Sequence, residues 1–353
     1  MLYPLKFKPV YKDYIWGGRN LEKLGRTLPE GIVAESWEIA CHPDGMSYVA
    51  NGELEGLSLQ EAVSKYKAAL VGSRLHTDSN FKFPLLIKLI DANDKLSVQV
   101  HPEDSYADLH ENGELGKNEM WYILSAKPGA KLVYDVLPGV TKETFNQAVQ
   151  DGNIEGCLKY IDVAPGDVIN IPAGLVHAIG EGIVLAEVQQ NSNTTYRVYD
   201  YDRVDKHGNK RPLHIDKALE VIDFNSCGRK EKATGLKVNL GPDSTKTYQI
   251  ANKYFSVEFY DIRGKVEESS NENCFYLFVF LEGKGKINFE TGSVEVAAGE
   301  SVLIPASLGE YSIEGNIKAL KSYVPDIEQD VVLPLEKAGY SEEEIFKNVS
   351  GLV

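Results

Sequence analysis

Two stretches of the chain carry residue types at spacings suited to chemistry. In Ser97-Val98-Gln99-Val100-His101 polar and apolar residues alternate, so in a strand Ser97, Gln99 and His101 share one face. Taken alone, the segment reads as a half-buried strand whose polar side meets solvent. The second stretch, Gly166-x5-Pro172-x-Gly174-x2-His177, shifts that reading. Its glycines permit positive φ and Pro172 fixes the entry to a turn. The pattern predicts a rigid hairpin that aims His177 inward. A carboxylate, Glu119, heads the aromatic run Glu119-Met-Trp-Tyr-Ile-Leu.

The glycine–proline–histidine spacing resembles the second signature motif of the cupin superfamily, small β-barrels that hold a metal with His and carboxylate ligands. Glu181 stands where cupins commonly carry Asn. Gln99, His101, Glu119 and His177 then make one candidate ligand set. Zinc takes imidazole nitrogen and carboxylate oxygen well, and a catalytic site keeps one position open. With Glu119 the only ionised ligand, a divalent ion leaves the site at about +1, which stabilises an anionic intermediate.

Elements must hold these residues in place. Runs such as KLSVQVH, MWYIL, DVINIP, VEFYDI and FYLFVFL, bounded by Gly, Pro and Asp, predict strands. Apolar spacing near 3.6 predicts a helix over 58–72 with Ser58 as N-cap. A second helix is expected over 141–152, opening on Thr-x-x-Thr rather than a true capping box, and a third over Asp216–Phe224. Strands do not alternate with helices, and no G-x-G-x-x-G follows a strand, which excludes a doubly wound nucleotide fold. A repeat organises the chain. Glu119 to Gly129 matches Asn273 to Gly283, and Gly166-DVINI-Pro172 matches Gly299-ESVLI-Pro305. Where the first copy has Glu119 and His177, the second has Asn273 and Glu310. The expectation is a mainly β protein of two cupin-type β-barrel (jelly-roll) units with helical insertions. Residues 1–235 form the metal-binding unit, and 236–353 form a degenerate one without ligands. The polar stretch NSCGRKEKATG lies between them.

At 353 residues the prior is about two domains. A formal charge of −15 argues against a nucleic-acid partner, and an anionic substrate would need local cations. Cys41, Cys157, Cys227 and Cys274 are scattered without C-x-x-C, which fits a reducing cytoplasm. No signal peptide or membrane span is expected.

QVHPEDSYA (99–107), GKNEMWYIL (116–124) and QQNSNTTYRVYDYDR (189–203) resemble type I mannose-6-phosphate isomerases. AESWEIACHPDG (34–45) and YIWGGRNLEKLG (14–25) look like their bacterial short form. The resemblance implies conversion of mannose 6-phosphate to fructose 6-phosphate, with one zinc ion per chain on Gln99, His101, Glu119 and His177. It puts Arg197 on the catalytic arginine, and Lys117 on the lysine of a Lys-Pro-Glu motif in which Asn118 replaces Pro. Lys88 and Glu187 match active-site positions. Gly116 and Asn193 depart from the pattern, standing where relatives carry His and Asp. An aldose–ketose exchange needs a base near C1 and C2 and electrophiles on the developing oxyanions. Arg197 suits the oxyanions, and Lys88 and Lys117 suit the phosphate. Ser97 and Trp16 are expected to touch substrate, although Trp16 and Trp37 read equally as core. Glu187, a hydroxide on the metal and a lysine all stand as candidate bases. An iron-dependent oxygenase and a non-catalytic sugar-phosphate sensor are the rival readings. His42, His76, His110, His207 and His214 are expected at the surface. Oligomeric state is left open.

Overall fold

The apolar runs punctuated by Gly and Pro fold as strands in the computed structural model, which describes residues 2–76, 81–204, 207–225 and 230–352. Cys227 and the start of the inter-unit stretch lie outside the described residues. A 6-stranded sheet runs β12 (Val168–Ile171), β9 (Glu119–Ala126), β14 (Ile183–Gln190), β7 (Leu85–Ala92), β3 (Glu35–Ile39), β2 (Val10–Lys12). It faces a 5-stranded sheet ordered β11 (Leu158–Asp162), β10 (Lys131–Val136), β13 (His177–Ile179), β8 (Val98–Val100), β15 (Tyr196–Tyr199). Ile90, Trp121, Ile169 and Leu185 of the first pack on Leu132, Tyr134, Ile161 and Ile179 of the second.

A 9-stranded sheet follows the order β16 (Leu236–Asn239), β17 (Thr245–Ala251), β18 (Ser256–Ser269), β22 (Glu310–Tyr323), β19 (Tyr276–Phe289), β21 (Ser301–Ile304), β1 (Leu5–Lys8), β6 (Tyr48–Val49), with β20 (Gly292–Ala297) beside β19. The hairpin β4 (Cys41–His42) and β5 (Gly45–Met46) completes the strands. The sheets do not close into barrels, because each ends on open edges. One physical reason is that the 6-stranded sheet is covered on both faces. One side meets the 5-stranded sheet. The other side, with Leu85, Ile87, Leu89, Val184 and Val188, shares a core with Val257, Leu277, Val279, Leu303 and Leu320 of the 9-stranded sheet. Burial on both faces gives near-continuous apolar sequence.

The expected helix over 58–72 divides at Lys67 (φ 47) into α1 (Leu59–Tyr66) and α2 (Ala68–Val71). Ser58 caps α1 in a capping box with Glu61. Short α3 (Asp104–His110) follows His101, then α4 (Lys142–Gln150). Thr141 and Thr144 cap α4 reciprocally, so Thr-x-x-Thr does act as a capping box, the Thr144 hydroxyl replacing a carboxylate. Beyond it lie α5 (Ile215–Val221), α6 (Leu333–Lys337) and α7 (Glu342–Asn348). Among the described residues no helix is long and apolar enough to cross a membrane.

The 9-stranded sheet folds over itself. A straight strand from Glu258 to Glu268 would span roughly 33 Å. Yet the Tyr260 hydroxyl lies 3.0 Å from one of these carboxylates and 2.8 Å from the other. The bend falls where Gly264 and Gly285 both pair with Gly315. A Cβ on Gly315, at φ 152, would stand 2.6 Å from the Lys284 carbonyl oxygen. Gly315→Val should therefore destabilise the protein by about 2 kcal/mol or more, read as a lower urea midpoint. An unchanged midpoint would show that the fold-over does not need this glycine.

Candidate metal centre and adjoining cavity

Period-two alternation sets the faces. Glu119 and Trp121 of β9, Glu187 and Gln189 of β14, and Lys88 of β7 fall on the side of their sheet that packs toward the 5-stranded sheet. From the opposite sheet, Gln99 of β8 pairs in register with His177 of β13 on one side and Arg197 of β15 on the other. His101 follows β8 directly, its carbonyl accepting the Gly174 N–H at 2.9 Å. Gly166 and Gly174 take φ 91 and 83, as the turn pattern requires.

The segment before Glu119 is locked by amides. Asn118 donates from its backbone and side chain to Gln190 Oε1 at 3.0 and 2.8 Å, and its own oxygen accepts from Ala173 N at 3.0 Å. Asp104 Oδ1 accepts from Gln190 Nε2 and from Gly116 N, both at 2.8 Å. Asn118 thus supplies ties that a proline could not. A Cβ at Gly116 would stand 2.5 Å from Asp104 N, so a histidine has no room there.

His101, Glu119 and His177 bring one ligand atom each within 4.8 Å of one another, and all are buried. Glu119 Oε1 lies 3.3 Å from His101 Nε2, and Oε2 lies 3.7 Å from His177 Nε2. His177 Nδ1 donates to the Leu175 carbonyl at 2.9 Å, which leaves Nε2 as the lone-pair nitrogen facing the cluster. Gln99 reaches the same nitrogen at 3.4 Å. The Lys117 ammonium stands 2.8 Å from Glu119 Oε1. Neither Glu119 oxygen accepts a well-aligned hydrogen bond among the described residues. Burial would raise the Glu119 carboxyl, but Lys117 and the imidazoles hold it well below the usual range. Burial, reinforced by Lys117, pushes His101 down to about 3, and burial likewise lowers His177. Neutral imidazoles and a carboxylate with uncapped lone pairs are the donor set a divalent cation takes.

Beside the cluster opens a cavity of about 280 Å³. It gathers Trp16, Lys88, Ser97, Gln99, Lys117, Glu187 and Arg197. His101, Glu119 and His177 sit behind Gln99 and Lys117. Lys88 lies 2.9 Å from Glu187 and 3.9 Å from Glu35. The Trp121 and Trp37 indoles donate to Glu187 and Glu35 at 2.8 and 2.7 Å, so Trp37 is core while Trp16 lines the cavity. Burial and the Glu119 charge raise Glu187 above the usual carboxyl range. Burial pulls Lys88 down, yet Glu187, Glu35 and Glu119 together hold it above its ordinary value. Arg197 Nε donates to Ser97 Oγ at 3.2 Å and Nη1 to the Pro212 carbonyl at 2.9 Å.

Two features escape sequence reasoning. Arg211 lines the cavity from a loop, held by Asp200 at 2.8 Å, and no periodicity marks it. His42 is buried rather than exposed, between Trp37 and Glu114, because the β4–β5 hairpin folds onto the 6-stranded sheet. His110 and His207 are exposed as expected, and His76 and His214 are half-buried. Asn193, in place of an acid, donates to Asp44 at 2.7 Å.

Residues 4–124 match the family model of the phosphomannose isomerase type I catalytic domain, and residues 244–324 that of the mannose-6-phosphate isomerase cupin domain. Mannose-6-phosphate isomerase ManA of Bacillus subtilis is 39% identical over 321 residues, covering 91% of this chain and 99% of that one. The mannose-6-phosphate isomerase of Streptococcus mutans is 36% identical, covering 92% and 99%. The crystal structure of the mannose 6-phosphate isomerase from Bacillus subtilis superposes with a TM-score of 0.83 at 33% identity, over 91% of this chain and 99% of that one.

The depressed histidines predict a pH dependence of stability. Metal-free, both imidazoles are neutral when folded but titrate near 6.5 when unfolded. Below about pH 6.5 the unfolded state takes up protons first, so their contribution is full above that value and is lost as pH falls toward 3. Chelator-treated protein should lose roughly 1.4 kcal/mol through His101 between about pH 7.5 and 5.5 in urea unfolding, with a further loss in the same direction through His177. His101→Gln should remove one histidine's share of that slope. An identical slope in the variant would contradict a neutral buried His101.

Proposed function

The chain belongs to the mannose-6-phosphate isomerase family, and from that membership we propose that it interconverts mannose 6-phosphate and fructose 6-phosphate through an enediol, with one zinc ion per chain. The observation that supports this most is a cavity, next to a buried His/Glu/His cluster, on which a carboxylate of raised pKa and two guanidinium groups converge. His101, Glu119 and His177 would hold the ion, with Gln99 beside them. When bound, zinc supplies Lewis-acid stabilisation to charge developing on the substrate oxygens.

The chain's own groups divide the remaining work. The base takes the proton from C2 of the aldose, and the C–H electrons form the C1–C2 double bond of the enediol. The proton returns at C1, and the O2 proton passes to O1. Lys88 is held charged by its carboxylates, which removes it as a base. Lys117 faces Glu119 in an ion pair. Glu187 lines the cavity with raised basicity and is fixed by Trp121 and Lys88, so we assign it the proton transfer. Arg197 sits abreast of Gln99 on the neighbouring strand and is assigned to the enediolate oxygens.

The phosphate reading changes from the one the sequence suggests. Lys88 and Lys117 are each neutralised by buried carboxylates. Burial, and then the neighbouring Arg211, lowers the proton affinity of the Arg197 guanidinium. Asp200 is shared between Arg211 and Arg203, so net positive charge remains beside Arg197; that favours an anion, and we assign the phosphate to Arg211. We read residues 1–235 and 236–353 as two cupin-type units, with β1 and β6 lent to the second unit's sheet. The free thiols of Cys41, Cys157 and Cys274 suit a cytoplasmic compartment.

Two variants separate the arginine roles in a coupled assay for fructose 6-phosphate. Arg197→Lys keeps the charge and loses the fork, so kcat should fall by roughly two orders of magnitude with metal content unchanged. Arg211→Ala should raise KM by about ten-fold or more and alter kcat far less. A normal kcat in the first, or a normal KM in the second, would remove that residue from its assigned role.

A further inference from the structure

A second polar cavity, of about 370 Å³, lies inside the folded 9-stranded sheet, but its charges are matched, Lys321 pairing there with Glu268 at 2.8 Å. The cavity beside the His/Glu/His cluster differs. The Tyr14 phenol lines it and is uncommitted.

Tyr14 sits on a turn that the rest of the protein holds still. Its carbonyl accepts the Gly17 N–H at 2.9 Å, and the Trp16 carbonyl accepts the Asp94 N–H at 3.0 Å. A Cβ on Gly17 would stand 2.6 Å from the Ala34 Cα, so the turn lies close against the segment entering β3. Trp16 is buried, and the Tyr14 ring packs on it with centroids 5.6 Å apart. Tyr14 is 38% exposed, while the other residues lining the cavity are buried or half-buried. It therefore stands at the mouth, with Lys117 and Glu187 at the floor.

Glu35, Lys88, Asp44 and Arg211 act on the phenol electrostatically, and the phenol acts on Arg197. Among the described residues its hydroxyl makes no hydrogen bond. Burial, and then the Glu35 charge, raises it above its ordinary pKa, so it stays a neutral O–H donor. The nearby carboxylates are already matched. Glu35 faces Lys88 at 3.9 Å and accepts from the Trp37 indole at 2.7 Å. Asp44 accepts from Asn193 at 2.7 Å and is open to solvent.

A donor without a partner at the mouth suits the part of the substrate that lies there. In an open-chain hexose 6-phosphate the phosphate is the end remote from C1 and C2. With those carbons toward the cluster, the phosphate falls at the mouth. A phosphate dianion offers more lone pairs than one guanidinium fork fills, and a hydroxyl donating to a charged oxygen makes one of the stronger hydrogen bonds.

We propose that Tyr14 binds the substrate's phosphate, its hydroxyl donating to the group that Arg211 holds, and so favours phosphorylated over free sugars. This rests on the isomerase reading and on the phosphate lying at Arg211.

Tyr14→Phe keeps the ring on Trp16 and removes only the donor. In the coupled assay for fructose 6-phosphate, KM for mannose 6-phosphate should rise about ten-fold and kcat should change far less. The Ki of inorganic phosphate as a competitive inhibitor should rise by a similar factor. A wild-type holoenzyme that makes no fructose 6-phosphate would overturn the isomerase reading instead. Phosphorus NMR titration of the holoenzyme with inorganic phosphate then reads Tyr14 by itself, and about ten-fold weaker binding in the variant is again expected. Phosphate affinity equal in variant and wild type, or undetectable in both up to tens of millimolar, would overturn the proposal. So would a raised KM with an unchanged phosphate Ki, which would place the hydroxyl on the sugar.

Discussion

An ionised carboxylate held wholly out of water is the constraint around which this fold is arranged. Glu119 is fully buried, and among the described residues its oxygens meet only an ammonium and two imidazoles within ion-pair distance. Such a charge is tolerable only where cations or metal compensate it. That requirement explains the rigid hairpin behind His177 and the amide lock around Asn118. It also explains the pairing of β8 with β13, which brings Gln99 beside His177. Each element removes a freedom that would let water or a misplaced side chain replace the compensating groups.

The second constraint is the sharing of one sheet by two cores. The odd positions of β7 and the even positions of β9 and β14 are committed to apolar packing with the 9-stranded sheet. Chemistry therefore falls to the other face, where Lys88, Glu119, Trp121 and Glu187 lie. The folded 9-stranded sheet meets the same problem of polar groups inside a sandwich with different residues. Lys321, two carboxylates and a ring of phenols balance one another there, with no imidazole among the cavity-lining residues.

Much of the site was legible because it rests on local patterns. Alternation placed Gln99, and the turn chemistry of Gly166, Pro172 and Gly174 placed His177. The helix caps at Ser58 and Thr141 were readable for the same reason, although a hydroxyl at Thr144 doing a carboxylate's work was not. What stayed hidden depends on pairing between distant segments. Aligning the repeats by their glycines puts Asn273 opposite Glu119, but strand register puts Tyr276 there. Arg211 reaches the cavity only because Asp200 and the β15 register hold its loop. His42 is buried by a hairpin docking onto a sheet, which no spacing announces. Barrel closure likewise depends on which edges meet, and the residues carry no mark of it.

We propose that one buried cluster, His101, Glu119 and His177, holds the one ion on which isomerisation depends. Its most direct test is metal content by elemental analysis, measured alongside fructose 6-phosphate formation during stepwise zinc addition to chelator-stripped protein. Activity should rise from near zero and saturate at one ion per chain, and His177→Ala should neither hold the ion nor gain activity. Full activity in the stripped protein, or saturation only at two ions per chain, would contradict it.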